Sequence, residues 1–533
     1  MRSRPRPGHA RATLTVLATT ASSLVLLAPT AQAAPGGKSP QAPHPDRPAI
    51  ACEALKARAF APANATVTEA TSVPASSTAP ATCQVTLTVS DPEDGGKVTV
   101  WVHMPERTWN GRYQAVGGGG FSGGDPGRLA GAVQQGYAAS ATDAGHVGSS
   151  GTFGLNPDGT PNHTGREDFG HEGVHDMAVA AKSVVTTFYG RAPEYSYWNG
   201  CSTGGRQGLM EAQNYPDDFD GIFAGAPVIN FPEMQTGQIW GQIVMLQENN
   251  PVPACKFETA LKAAVAACDT VGDGVVDGVI GDPFACDFDL TTLIGTETAC
   301  GTITAKDVAV MQRIHEGPRG TDGRFLWYGL PYGAPYAGLH NTKLDDQGQL
   351  VGDPFIYDIW WIRYFLTDDP SFDWRTLDYA SFEGLFDLAV ERYGDMMGAS
   401  DTDLSAFRDS GGKLLMWHGA ADFGVTVKGT VDYYERLEER FGEGTDDFAR
   451  LFLAPGVGHC SGGAGPELTN GFGALVEWVE NGTAPATLDA AKAGVTRPVC
   501  AYPLVAEWTG FGDWRDGSNF ECVAGTRMEL RQP

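Results

Sequence analysis

Hydrophobic residues alternate in two early stretches of the chain. Val85, Leu87 and Val89 take every second place, then Val98, Val100 and Val102 do the same, with Asp94-Gly95-Gly96 between them. Period-two spacing on both sides of a turn predicts a β-hairpin. Arg112 to Val116 reads as a short strand that runs into the glycines 117–120. The period then changes. Val174, Met177, Ala178, Ala181, Val184, Val185 and Phe188 recur at helical spacing, and Gly190 supplies the stop. Tyr195 to Asn199 predicts a strand, Gly205 to Asn214 a helix and Phe219 to Gly225 the next strand. Alternating strand and helix predicts a parallel sheet covered on both faces.

Beyond Pro227 this order breaks down. Until about residue 400 the text is irregular, cysteine-bearing, aromatic and dense in Asp and Gly. Strand-like text resumes at Lys413 to Gly419, followed by a strand at Ala449 to Leu453 and a helix around Gly471 to Val479. The chain therefore reads as an α/β catalytic domain built from residues 49–227 and 401–533. Residues 228–400 read as an inserted lid domain. No internal repeat is evident.

Composition narrows the classes of function. The chain has 533 residues, 42% hydrophobic and 19% charged, which is ordinary for a globular protein long enough for a large core and a second domain. Its formal charge of -27 argues against a nucleic-acid partner, which requires basic surface. Arg2, Arg4, Arg6 and Arg11 precede an apolar stretch from Leu14 to Leu27, and Ala31-Gln32-Ala33 offers small residues for cleavage. Residues 1–33 thus read as a secretory signal peptide and 34–48 as a flexible segment. The mature protein is expected to be secreted, with no membrane span. In an exported chain, ten cysteines favour five disulfides over a metal site.

Two short strings carry the chemistry. Gly200-Cys201-Ser202-Thr203-Gly204 fits the G-x-S-x-G nucleophile elbow, with a strand before and a helix after. Gly458-His459-Cys460 offers a histidine late in the chain, after a strand, in the position expected of the base that a serine hydroxyl needs. Asp422, just past the strand ending at Gly419, is the best candidate to orient that histidine; Asp401 and Asp403 lack a clear preceding strand. An oxyanion would need two N–H donors, from Thr203 and from Gly119 or Gly120. A disulfide between Cys201 and Cys460 would tie nucleophile to base. Together these features point to a serine esterase. Separately, Asp269, Asp273 and Asp277 recur every four residues, with Gly274 and Gly278 after two of them. Such hard oxygen donors suit Ca²⁺ and equally describe a solvated acidic loop. The flanking Cys268 and Cys286 could close it.

These residues resemble the tannase and feruloyl esterase family, which includes mono(2-hydroxyethyl) terephthalate hydrolases. The resemblance rests on Gly-Cys-Ser-Thr-Gly-Gly-Arg-Gln-Gly at 200–208, on His418-Gly419-Ala420-Ala421-Asp422 and on the run from Pro455 to Gly463. Arg363-Tyr364-Phe365 and the run from Arg497 to Pro503 add smaller matches. It implies an α/β-hydrolase core, the triad Ser202, Asp422 and His459, and a Cys201–Cys460 disulfide beside it. It also implies a structural Ca²⁺ in the lid, held by Asp269, Asp273 and Asp277 with the carbonyls of Val275 and Val279, and no organic cofactor. The loop between Asp269 and Asp273 runs one residue longer than the usual pattern. Cys52–Cys83, Cys268–Cys286 and Cys500–Cys522 are the family-like pairs, which leaves Cys255 and Cys300 to pair by elimination. The expected activity is hydrolysis of hydroxycinnamoyl (feruloyl-type) esters, free or carried on plant polysaccharide. Trp360, Trp361 and Phe365 are candidate pocket residues in the lid, although an aromatic run of this kind more often packs a core. Galloyl esters and terephthalate monoesters are the alternatives within the family. A serine peptidase and a non-catalytic binding protein are the rivals outside it.

Overall fold

The computed structural model describes residues 47–91 and 95–528. The signal-peptide reading, and residues 34–46 of the flexible segment, lie outside the described residues. Nine strands form the central sheet: β1 (Ala65–Val73), β2 (Thr82–Ser90), β3 (Lys97–Pro105), β4 (Arg112–Val116), β5 (Ala138–Thr142), β6 (Tyr195–Cys201), β7 (Gly221–Gly225), β8 (Lys413–Gly419) and β9 (Ala449–Ala454). Their spatial order is β1-β2-β3-β5-β4-β6-β7-β8-β9. The first three strands are antiparallel, with Val89 opposite Val98 and Val85 opposite Val102. From β5 to β9 all neighbours are parallel. β5 (Ala-Ala-Ser-Ala-Thr) is buried along its whole length, so it shows no alternation and gives no period-two signal.

Helices cover both faces of this sheet. α1 (Ala130–Gln134) and α10 (Gly471–Asn481) lie on one face, where Val133, Leu475 and Trp478 pack on Leu415 and Trp417. α2 (Gly173–Tyr189), α3 (Thr203–Asn214) and α9 (Val427–Phe441) lie on the other, with Met177, Val184, Leu209 and Val431 on Ile222 and Met416. α2 carries the apolar stripe read from its sequence and ends at Gly190 in the left-handed conformation, φ 74°. α3 starts two residues earlier than its sequence suggests, directly after Ser202.

Between the adjacent strands β7 and β8 the chain makes a long excursion that adds no strand to the sheet. It is more ordered than its sequence suggests. It contains α4 (Phe231–Gly237), α5 (Trp240–Gln247), α6 (Ala254–Cys268), α7 (Ala305–Glu316) and α8 (Tyr379–Met397). Thr304 and Asp307 form a reciprocal cap at the start of α7, and Asp378 and Ser381 do so at α8. Two of these helices are short and their apolar residues are buried nearly all round, so periodicity does not mark them. Trp361 and Phe365 are fully buried in the core of the excursion, so they pack it rather than line a pocket; Trp360 is half-buried.

All ten cysteines pair, as Cys52–Cys83, Cys201–Cys460, Cys255–Cys300, Cys268–Cys286 and Cys500–Cys522. Among the described residues no helix is long and apolar enough to cross a membrane.

Candidate active site

Ser202 sits between β6 and α3 with φ 64° and ψ -125°, a conformation that side chains rarely adopt. The sharp turn brings backbone into close contact. A Cβ on Gly200 would strike the carbonyl of Gly204, and one on Gly117 would strike the Cα of Gly204. Only glycine fits at these two points. The turn is held by the Ser202 N–H, which donates to Gly225 O at 2.9 Å, and by the Arg206 N–H, which donates to Ser202 O at 3.1 Å.

His459 follows β9 on a loop tied to the elbow by the Cys201–Cys460 disulfide. Its Nδ1 lies 2.6 Å from Asp422 Oδ2, and its Nε2 lies 2.9 Å from Ser202 Oγ. An ionised carboxylate only accepts, so Nδ1 carries the proton and Nε2 is left to accept from the serine hydroxyl. Residues 202, 422 and 459 thus form one hydrogen-bonded chain.

Asp422 is fully buried past the end of β8. Its Oδ1 accepts from the N–H groups of Gly424 (2.8 Å) and Val425 (2.9 Å). Its Oδ2 faces both His459 and His418 Nε2, the latter at 3.2 Å. Burial opposes ionisation, but the hydrogen bonds from His418 and His459 outweigh it and hold this carboxyl well below the usual range. Burial would also lower the pKa of His459, yet its bond to Asp422 prevails and raises it above 6.5. His418 is itself fixed, with Nδ1 2.8 Å from Thr430 Oγ1 and Nε2 2.9 Å from Val425 O. Although His418 lies in the string that identifies Asp422, nothing in its spacing marks it as a second partner of that carboxylate.

The glycine run after β4 faces the elbow, and the structure separates its members. The Gly119 N–H donates to Ser122 O at 3.2 Å, which closes a tight turn. The N–H groups of Gly120 and of Thr203, the first residue of α3, have no acceptor among the described residues. Thr203 Oγ1 donates to Gly120 O at 2.6 Å and holds that peptide in place. Gln207 pins the run from beneath: Gly118 N–H donates to its Oε1 (2.9 Å) and its Nε2 donates to Gly123 O (3.0 Å). Arg206 is fully buried against Phe169 and Phe231, and desolvation pushes its pKa down to about 9. Its guanidinium donates to the carbonyls of Phe169 (2.8 Å) and Gly170 (2.7 Å) and so fixes the chain behind the elbow.

A largely apolar cavity of about 700 Å³ touches His459 and is walled by Val265, Ile280, Tyr332, Phe423 and Ala464. The acidic loop forms part of its wall, through Asp269, Gly278 and Val279. Asp269 Oδ1 accepts from the N–H groups of Asp277 (3.1 Å) and Gly278 (2.7 Å). Asp273 and Asp277 accept from the Val275 and Val279 N–H groups and share the guanidinium of Arg497, at 3.4 and 2.9 Å. Burial, and then the neighbouring Asp277 and Asp269, push Asp273 up to about 6; burial also raises Asp277. Asp273 and Asp277 share one guanidinium and Asp269 meets only backbone N–H groups, so the three carboxylates, when ionised, leave an excess of two negative charges that a divalent oxygen-binding cation would neutralise. The residues present therefore fit such an ion.

A second acidic group was not foreseen. His175, Glu211 and Asp218 bring three ligand-type atoms within 4.8 Å of one another, a group that could hold a metal ion. Here the protein already supplies counter-charge, since Lys182 meets Asp218 at 2.8 Å, and His175 Nδ1 lies 2.6 Å from the same carboxylate. Burial, and then the neighbouring Asp218, hold the Glu211 carboxyl well above its ordinary value, which opposes its ionisation. These residues come from three separate elements, so no spacing announces them.

Comparison with known proteins places the chain. Residues 83–523 match the family model described as tannase and feruloyl esterase. A probable feruloyl esterase of Arthroderma benhamiae is 42% identical, over 83% of this chain and 85% of its own. The mono(2-hydroxyethyl) terephthalate hydrolase of Piscinibacter sakaiensis is 31% identical, over 79% of this chain and 81% of its own. The crystal structure of feruloyl esterase B from Aspergillus oryzae covers 89% of this chain and 99% of its own, with TM-score 0.78 and 27% identity. With the α/β sheet, the elbow and these relatives in agreement, the chain belongs to the tannase and feruloyl esterase family of carboxylic-ester hydrolases.

Proposed function

We propose that this protein is a secreted serine esterase that cleaves aromatic esters of the feruloyl type through an acyl-enzyme. The observation that carries the reading is the continuous chain of hydrogen bonds from Ser202 through His459 to Asp422. In the mechanism, His459 Nε2 takes the proton as Ser202 Oγ attacks the ester carbonyl. Asp422 holds the imidazole tautomer and stabilises the imidazolium. The free amides of Gly120 and Thr203 receive the oxyanion, and Gly119, whose amide is spent on Ser122, does not. His459 returns its proton to the leaving alcohol, then activates the water that releases the acid.

Residues 228–400 act as the lid over a core of 49–227 and 401–533. The apolar cavity beside His459 gives an aromatic group a surface on which to bury itself. Calcium is the cation assigned to the acidic loop, held by the carboxylates of Asp269, Asp273 and Asp277 and the carbonyls of Val275 and Val279. When bound it supplies charge neutralisation to the lid and takes no part in the chemistry. Export rests on the leader-like residues 1–33, and the alcohol half of the substrate is a plant polysaccharide or a small alcohol.

The test is hydrolysis of methyl ferulate, methyl gallate and a terephthalate monoester, side by side, by the wild type and by Ser202→Ala. Methyl ferulate is expected to be the best substrate. The variant should lose roughly 10⁴-fold or more in kcat with an unchanged melting temperature. Full activity in a folded Ser202→Ala protein would refute the mechanism, and preference for another ester would reassign the acyl group.

A further inference from the structure

We propose that the protein carries a second ligand site, separate from the Ser202 cleft, that binds a neutral sugar unit of an oligosaccharide. A cavity of about 660 Å³ opens on the face of the sheet covered by α1 and α10. Its floor is Gln114 of β4, Asn199 of β6, Phe223 of β7 and Trp417 of β8; Tyr137 and Phe472 stand at its walls. Parallel strands buried on both faces are normally apolar, so two amides on neighbouring central strands are out of pattern. Gln114 and Tyr137 are each 5% exposed and Trp417 is 9% exposed. Nevertheless the Gln114 amide, the Tyr137 hydroxyl and the Trp417 indole N–H make no hydrogen bond to any described residue. The half-buried Asn199 amide makes none either. Their polar atoms are not sealed in the interior; they turn to the open cavity, where solvent or a ligand can pair with them.

The lining selects the class of occupant. At roughly 30 Å³ per molecule, the space equals some twenty waters, and it falls in the range of small-ligand sites. A wholly apolar ligand would leave both amides, the hydroxyl and the indole unpaired, at a cost for each. An anion would find only Arg128, offset by Glu467 and Glu477 at the same rim. A neutral ring with hydroxyls at its edge and C–H faces satisfies the whole set: the amides donate and accept, the indole donates, and Tyr137 and Phe472 offer ring faces. The choice of a sugar over other polyols rests on the activity proposed above.

The position ties this site to the chemistry without merging the two. Cys460 lines the cavity, so it lies behind the Cys201–Cys460 disulfide, while neither Ser202 nor His459 borders it. A glycan chain held here would keep the enzyme on its polymer while the ester is cleaved on the other side of the disulfide.

Calorimetric titration with xylotriose tests this, using the wild-type enzyme free and with Ser202 blocked by an organophosphonate. Saturable binding is expected in both forms. Gln114→Leu, a near-isosteric loss of the amide, should weaken it about tenfold, the value of one well-made hydrogen bond. Phe472→Ala, at the half-exposed wall, should weaken it comparably and carries the test if the buried substitution disturbs the fold, as judged by melting temperature. No saturable binding, loss of binding on blocking Ser202, or binding indifferent to both substitutions overturns the proposal. Methyl ferulate turnover by the wild type reports on the esterase reading independently, so failure of one is distinguishable from failure of the other.

Discussion

Asp422 and Asp273 are both buried aspartates, 0% and 4% exposed, and their environments drive them in opposite directions. Asp422 receives two backbone N–H groups and faces two imidazoles, so its charge is satisfied inside the protein. Asp273 faces Asp269 and Asp277 across a loop with one shared guanidinium, so its charge is not. On the function proposed above, the difference separates a site prepared for chemistry from one prepared for an ion. A general base needs a fixed partner whose charge does not depend on solution conditions. A cation site needs surplus negative charge that only the ion relieves.

The comparison also fixes the sign of two pH effects. The folded pKa of Asp422 lies below its ordinary 3.8, so the stability it contributes is present above that value and is lost as pH falls below it. Asp273 moves the other way, from 3.8 to about 6. Without a cation, its contribution is complete below pH 4 and is lost as pH rises towards 6.

The largest effect expected from breaking the contrast is at Asp422. Asp422→Asn would present an amide to His459 Nδ1 and favour the wrong tautomer. The kcat/KM for methyl ferulate should fall by roughly 10⁴-fold. A loss of less than tenfold would remove Asp422 from the mechanism. Next comes the acidic loop. Calcium at about 100 times its Kd should stabilise the protein by about 2.7 kcal/mol, read as a rise in melting temperature. It should also abolish the loss of stability between pH 4 and 6. Asp273→Asn should eliminate both responses, and equal responses in that variant would place the ion elsewhere. His418→Leu leaves Asp422 with one imidazole and strips the Thr430 hydroxyl of its partner. About 1–3 kcal/mol of stability should be lost, measured by denaturant titration, with residual activity. Thr203→Val frees the Gly120 carbonyl, and kcat should fall severalfold with KM nearly constant. The smallest effect is a displacement: kcat/KM should rise with pH through a midpoint above 6.5, because His459 acts only when neutral and Asp422 raises its pKa. A midpoint below 6.5 would contradict that electrostatic account.

Much of this was legible in the chain. β4 and β8 have the limits read from the sequence, because Gly111 and Gly117 flank β4 while Gly412 precedes β8 and Gly419 ends it. The elbow could be named because one serine stands between two glycines with a strand before and a helix after. Asp422 could be named because the strand that precedes it is plain. The helices of the excursion were not legible, since short helices buried on all sides lose the 3.6 period. For Trp361 and Phe365 the sequence leaves pocket and core open, since both use large aromatic residues; the packing makes both of them core.

The sequence by itself determined the α/β class, the identity of the residues at 202, 422 and 459, and the surplus of acid at 269–277. These are properties of local pattern and of residue chemistry. Only the tertiary structure decided which partner each group meets. It gave the Gly119 amide to Ser122 and left that of Gly120 free, set His418 beside Asp422, and gave Asp273 and Asp277 a guanidinium 220 or more residues away. It also put the amides of Gln114 and Asn199 around one cavity. The physical reason is that hydrogen bonds and charges act through space over a few ångströms, while the residues that share them are scattered along the chain and are brought together only by the packing of the sheet.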